Sequence, residues 1–267
     1  MSDRKQILNK KRIVIKVGSS SLTHSNGKLN LLRIEKLTGV ITYLHNQGKE
    51  VVLVSSGAIA TGAGKVGVEK KPSDKIKKQA LAAIGQAELI KIYEKFFEEY
   101  NKTVAQLLLT RDGIENTSRR RNARNTLKEL LKMKVIPIVN ENDTVSTDEI
   151  EFGDNDILSA MVSSLINADL LIILSDIDGV FTGDPQTDKD AKLISKLTIE
   201  DEDLKKFIFE SESSFGTGGM ASKLAAGRHC LENGIDMVIA NGNSPSIIYN
   251  VLEGKEVGTY FEKSDGK

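Results

Sequence analysis

Lys16 sits where a strand ordinarily carries no charge. It interrupts the run Arg12-Ile13-Val14-Ile15-Lys16-Val17, and Gly18-Ser19-Ser20-Ser21 follows at once. Branched apolar residues at 13, 14, 15 and 17 mark a strand buried on both faces. A buried ammonium is costly unless it snorkels to water or holds an anion. The Gly/Ser turn beyond it has little side-chain bulk, so a phosphate can approach backbone N–H groups there. The pattern points to phosphate handling. A strand-end lysine reaching solvent is the plainer alternative.

Further segments carry polar or small residues with similar potential. Gly216-Thr217-Gly218-Gly219-Met220-Ala221-Ser222-Lys223 leads into a helix. Its glycines let phosphate approach the backbone, and Lys223 lies one turn in. The Walker pattern, in which lysine follows glycine directly, is absent; a plain glycine loop would read similarly. In Gly153-Asp154-Asn155-Asp156 the acidic residues suit a helix start. If Asp156 faces inward it needs a cationic partner, and two lysines could fill that need. Ser55-Ser56-Gly57-Ala58-Ile59-Ala60 offers N–H groups to a carboxylate, or uses Ser56 only as a helix cap. Asn140-Glu141-Asn142-Asp143 follows an apolar run and suits a polar substrate, with Asp143 placed for an ammonium; a solvated loop is the alternative. Ser175-Asp176-Ile177-Asp178-Gly179 has acidic spacing but lacks the ligand pattern and terminal Glu of a calcium loop, so a nucleotide contact fits better.

These segments need a frame that brings them together. Strands are predicted at 12–17, 50–54, 103–108, 135–140, 170–174 and 235–240. Helices are predicted at 31–46, 73–100, 122–133, 157–167 and 219–233. Short apolar runs joined by amphipathic helices indicate an α/β protein with a mainly parallel sheet. Such sheets bind ligands beyond the carboxyl ends of their strands, which is where these motifs fall. The stretch 175–199 is the least regular and is expected to flap over a nucleotide. No repeat, low-complexity segment or linker interrupts the chain. A single domain is expected, 1–267, with a substrate lobe to about 165 and a nucleotide lobe from about 166.

Composition removes other classes. Lys plus Arg and Asp plus Glu both number 37, which argues against a nucleic-acid or membrane partner. No run of 18 apolar residues exists to span a membrane, and Met1–Lys11 has no apolar core of a secretory signal. A cytoplasmic location is expected. One cysteine, Cys230, allows no intramolecular disulfide and no multi-cysteine metal site. His24, His45 and His229 are scattered, so neither a Ser-His-Asp triad nor a histidine metal centre is expected. Gly62-Ala63-Gly64-Lys65-Val66-Gly67 matches a dinucleotide fingerprint but begins eight residues past the strand, too late for that role. Arg119-Arg120-Arg121 and Arg124 lack interleaved aromatics and read as a solvated helix start or a subunit contact.

Taken in order, these motifs resemble the amino-acid kinase family from Arg12 to about Phe261. The resemblance implies a three-layer α/β/α sandwich around a mainly parallel sheet. It also implies ATP- and Mg²⁺-dependent phosphorylation of the side-chain carboxylate of L-glutamate, the first step of proline synthesis. By the same resemblance Lys16 and Lys223 stabilise the transferring phosphoryl group, and Asp156 holds both in place. Ser56, Asp143 and Asn155 bind glutamate. Lys16, Ser175, Asp176 and the loop Thr217, Gly218, Gly219, Met220, Ala221, Ser222, Lys223 bind ATP. No protein-held metal is expected, because Mg²⁺ travels with the phosphates. Proline as a feedback inhibitor and a homo-oligomer, dimer or tetramer, are further expectations. Many members continue into an appended domain resembling RNA-binding modules. The end at Lys267 is read as its absence, with activity expected to survive.

The chemistry agrees with the residues. A carboxylate acceptor with a pKa of about 4.3 is already ionised at neutral pH and needs no general base. Positioning and positive charge then supply the catalysis. The alternatives are a sibling kinase for acetylglutamate or uridylate, or a non-catalytic sensor of ATP or an amino acid. Asp143 favours a free ammonium, and Lys16, Asp156 and Lys223 together favour catalysis.

Overall fold

The computed structural model describes residues 4–24, 28–68, 74–145, 155–185, 187–201 and 219–263. Among these, eight strands form one sheet: β1 (Arg12–Val17), β2 (Glu50–Ser55), β3 (Val104–Leu109), β4 (Ile136–Glu141), β5 (Leu170–Ser175), β6 (Lys196–Leu197), β7 (Asp236–Asn241) and β8 (Thr259–Phe261). Their order is β3-β4-β2-β1-β5-β7-β8-β6. All neighbours run parallel except β7 and β8. The six predicted strands all form, each within one residue of its expected ends. β6 and β8 were not foreseen; at two and three residues they are too short to display a period.

The helices are α1 (Ser19–Leu22), α2 (Leu31–Asn46), α3 (Ala58–Val66), α4 (Lys75–Glu98), α5 (Arg111–Glu115), α6 (Thr117–Lys132), α7 (Asp156–Ile166), α8 (Met220–Glu232) and α9 (Ile247–Leu252). Two apolar layers sandwich the sheet. Ile13, Ile15 and Val17 of β1 pack with Ile34, Leu37 and Ile41 of α2, Leu89 and Phe97 of α4, and Ile248 of α9. Val14 points the other way, into a core with Leu127 of α6, Val162 of α7 and Ala226 of α8. Side chains alternate between faces along a strand, so Lys16 falls on the side of Val14. Its register partners Val54 and Ile173 belong to that same core. The strand's phase alone therefore aims Lys16 at α7 and α8.

The longer helices begin in two ways. α2, α4 and α6 are capped by the side chains of Asn30, Asp74 and Asn116, which accept from backbone N–H groups. α3, α7 and α8 have no side-chain cap. These three start at the carboxyl edge of the sheet, and their first N–H groups are left for other partners.

The Gly62–Gly67 pattern has a structural use. α3 and α4 cross so closely that a Cβ on Gly62 would lie 1.9 Å from the Leu81 carbonyl oxygen, and one on Gly85 would lie 1.7 Å from that of Ala58. Both obstacles are backbone and cannot swing away. Gly85→Ala should therefore push the helices apart and lower stability by about 1–3 kcal/mol or more, the usual scale of core overpacking. Thermal unfolding checks this; an unchanged midpoint would show that the crossing can relax.

Candidate functional site

Lys16, Asp156 and Lys223, from three separate elements, meet below the edge of the sheet. Lys16 Nζ lies 2.7 Å from Asp156 Oδ1, and Lys223 Nζ lies 3.1 Å from Oδ2. Their relative exposures are 2%, 0% and 5%. Asp156 is the first residue of α7, and its carboxylate is spent on the lysines rather than on capping. Lys223 sits in the first turn of α8, where its ammonium also donates to the Gly219 carbonyl at 3.1 Å. Ser222 Oγ donates to Asp156 Oδ2 at 2.9 Å. Burying these charges is tolerable because each ammonium meets the carboxylate at hydrogen-bond distance. The three groups by themselves sum to one positive charge, which suits an anionic ligand.

Asn155, one residue earlier, serves a second network. Its Nδ2 reaches the Ser55 carbonyl at 2.8 Å, Asn140 Oδ1 at 2.8 Å and Ser56 Oγ at 3.1 Å. An amide nitrogen has two hydrogens for these three acceptors, so Ser56, the most distant, is the least committed. Asn140 ends in a buried Nδ2 that has no hydrogen-bond partner among the described residues. Ser56 does not cap α3. That position belongs to Gly57, whose φ of +96° only glycine adopts freely. The hydroxyl of Ser56 is thus available to a ligand.

Other residues flank these networks. Asp143 lies half-buried in the turn after β4. Ser175 is the buried last residue of β5, next to β1, and its Oγ donates to the exposed Asp176 at 3.1 Å. Gly219 precedes α8, while Met220 and Ala221 form its half-buried first turn. Thr217 and Gly218 lie outside the described residues, as do Gly153, Asp154 and Gly216.

Sequence reasoning missed the support beneath. Gln86 and Tyr93 lie on the buried face of α4. Gln86 Nε2 donates to the Glu141 carbonyl at 3.1 Å, holding the end of β4. Tyr93 OH lies 3.0 Å from Ser55 Oγ at the end of β2. Burial pushes the Tyr93 phenol well above its ordinary pKa, outweighing its bond to Ser55, so it stays protonated. The available signal was a glutamine and a tyrosine seven residues apart on a stripe otherwise made of Leu, Ala, Gly and Phe.

The chain matches the profile of the amino acid kinase family over residues 11–241. It is 52% identical over 268 residues to "Glutamate 5-kinase" of Clostridium perfringens, covering 99% of this chain and 100% of that one. The protein of the same name from Enterococcus faecalis is 50% identical, with 97% of each chain covered. Among solved structures, UMP kinase from Bacillus anthracis superposes with a TM-score of 0.65 at 20% identity, covering 96% of this chain and 97% of that one. Carbamate kinase from Giardia lamblia bound to AMP-PNP gives 0.66 at 16% identity, covering 96% and 100%. At such identities the structural likeness establishes the fold, an α/β sandwich about a mainly parallel sheet.

Asp156→Asn removes the charge shared by two buried ammonium groups. It should destabilise the chain by about 3–5 kcal/mol, the scale for breaking a buried pair. A thermal unfolding midpoint equal to that of the parent would show that the lysines do not depend on Asp156.

Proposed function

The chain belongs to the amino acid kinase family, and from that premise we infer that it transfers the γ-phosphoryl group of MgATP to the side-chain carboxylate of L-glutamate. The product is glutamyl 5-phosphate, and the reaction is the first step of proline biosynthesis. Two relatives about half identical to this chain, and matched almost end to end, bear the name of that activity. The observation that carries the reading in the structure is the convergence of Lys16 and Lys223 on Asp156.

The mechanism follows from what the residues can do. Glutamate's carboxylate is the nucleophile and is already ionised, so the site needs no proton acceptor. The task is to hold two anions in line. Lys16 and Lys223 meet the γ-phosphoryl oxygens, where negative charge must be stabilised during transfer. Asp156 fixes their positions without itself touching the substrate. The open first turn of α8 and Gly219 face the phosphates, with Ser175 and Asp176 on the nucleotide side. Ser56, Asn155 and Asp143 receive glutamate, Asp143 taking its ammonium. Mg²⁺ enters with ATP. The Asp156 carboxylate is committed to two lysines. Among the described residues no three His, Cys, Asp or Glu side chains could hold a metal.

The sheet supports two functional lobes. β1 to β4 occupy one half and β5 to β8 the other, so acceptor and nucleotide meet at the β1–β5 seam. β3, an edge strand among the described residues with half-buried Val104, Leu107 and Leu109, supports a homo-oligomer. No helix among the described residues is long and apolar enough to cross a membrane; a cytoplasmic location fits this reading. Proline, which shares the α-carboxylate and ammonium of glutamate, is proposed as an inhibitor at the acceptor side.

Incubation with MgATP, L-glutamate and hydroxylamine should yield glutamate-dependent hydroxamate. Acetylglutamate, aspartate and UMP should give little turnover, and preference for any of them would overturn the assignment. Lys223→Ala should lower turnover on the order of 10²–10³-fold, as expected for loss of a transition-state charge contact, while the fold survives. Near-parental turnover in a folded variant would remove that role. Proline should inhibit at millimolar levels or below, and a flat titration would dismiss it.

A further inference from the structure

We propose that Tyr93 is a positioning residue for the acceptor subsite, acting through Ser55 on Ser56. The inference rests on the reading that Ser56 contacts the acceptor. Tyr93 and Ser55 are both fully buried, with no exposure to solvent. Their hydroxyl oxygens stand 3.0 Å apart. Ser55 Oγ also lies 3.1 Å from the Ser56 carbonyl, to which it can only donate. A serine hydroxyl has one hydrogen, so Tyr93 must be the donor to Ser55. The direction is therefore set: Tyr93 to Ser55, and Ser55 to the Ser56 carbonyl.

The surroundings show what this chain of donors accomplishes. The Ser55 carbonyl accepts from Asn155, and the Ser56 N–H donates to the Val17 carbonyl at 3.1 Å. Every polar atom around the Ser55–Ser56 peptide thus has a partner, and Tyr93 supplies the one that orients the Ser55 hydroxyl. A phenylalanine would fill the same space between Leu89 and Phe97. It would leave the Ser55 oxygen without its donor, and the hydroxyl held only by its bond to the Ser56 carbonyl. What tyrosine adds here is its hydroxyl, whose partner among the described residues is Ser55. The hydrogen bond of Tyr93 goes to Ser55 and not to Lys16, Asp156 or Lys223, so its loss should be felt on one substrate alone.

Steady-state kinetics of Tyr93→Phe, Ser55→Ala and the double variant test this, with the hydroxamate readout and direct calorimetric titration of L-glutamate. Tyr93→Phe should raise the KM for glutamate about three- to tenfold, the effect of one neutral hydrogen bond. The KM for MgATP and kcat should stay within about twofold. The double variant should be no worse than Ser55→Ala, because both changes break one chain. Unchanged glutamate KM and affinity would overturn the proposal. So would equal rises in both KM values, or effects that multiply in the double variant. If Tyr93→Phe does not fold, Ser55→Ala carries the same split between substrates. If the parent prefers another carboxylate acceptor, the glutamate assignment fails, and the split measured with that acceptor still decides the role of Tyr93.

Discussion

One carboxylate holds two buried ammonium groups, and the arrangement of the sandwich around β1, α7 and α8 serves that contact. Neither lysine would be tolerated inside without it, since an unpaired buried charge costs several kcal/mol. The contact requires the phase of β1 to place Lys16 on the side of Val14. It also requires α7 to begin at Asp156 and α8 to bring Lys223 down one turn from its start. Small buried residues allow the approach: Ser159 and Ser163 on α7, Ala226 and Gly227 on α8. On Gly227 any side chain would strike the Phe261 ring, 2.5 Å from a Cβ placed there.

The helix starts divide along the same line. Asn30, Asp74 and Asn116 close the first turns of α2, α4 and α6 with their side chains. At α3, α7 and α8, which start at the carboxyl edge of the sheet, that closure is missing and the nearby side chains are used elsewhere. Asn155 occupies an N-cap position yet gives its amide to Ser55, Asn140 and Ser56. A cap is worth about 1 kcal/mol. Leaving three helices without one is a stability cost at the carboxyl edge of the sheet.

Much of this was legible in the sequence, for physical reasons. Strands such as Leu170–Ser175 are continuous apolar runs bounded by polar residues, so their ends were readable to one residue. The lysine in β1 stood out because strands buried on both faces exclude charge. β6 and β8 left no trace, since their pairing is decided by neighbours rather than by their own two or three residues. Which of two plausible roles Ser56 plays was also hidden. Capping and ligand contact use the same residue type, and only the left-handed Gly57 excludes the cap. Gln86 and Tyr93 escaped because a lone polar atom on an apolar stripe has no partner visible along the chain. The partner lies 55 residues away for Gln86 and 38 for Tyr93.

Asn155 and Asp156 join two networks at the start of α7. They are consecutive, so their Cα atoms are about 3.8 Å apart whatever else moves. Asn155 anchors the ends of β2 and β4 through Ser55 and Asn140, and Asp156 anchors the lysines. Phosphoryl transfer without acid–base help depends on bringing nucleophile and phosphorus to about 3–3.5 Å in line. A single peptide unit at the start of α7 ties the two networks together, with no loop between them to flex. α4 then acts from the far side of the sheet, steadying the ends of β2 and β4 through Tyr93 and Gln86. Catalysis by placement alone demands rigidity at the acceptor as much as charge at the phosphate. This fold supplies the first from one apolar layer and the second from the other.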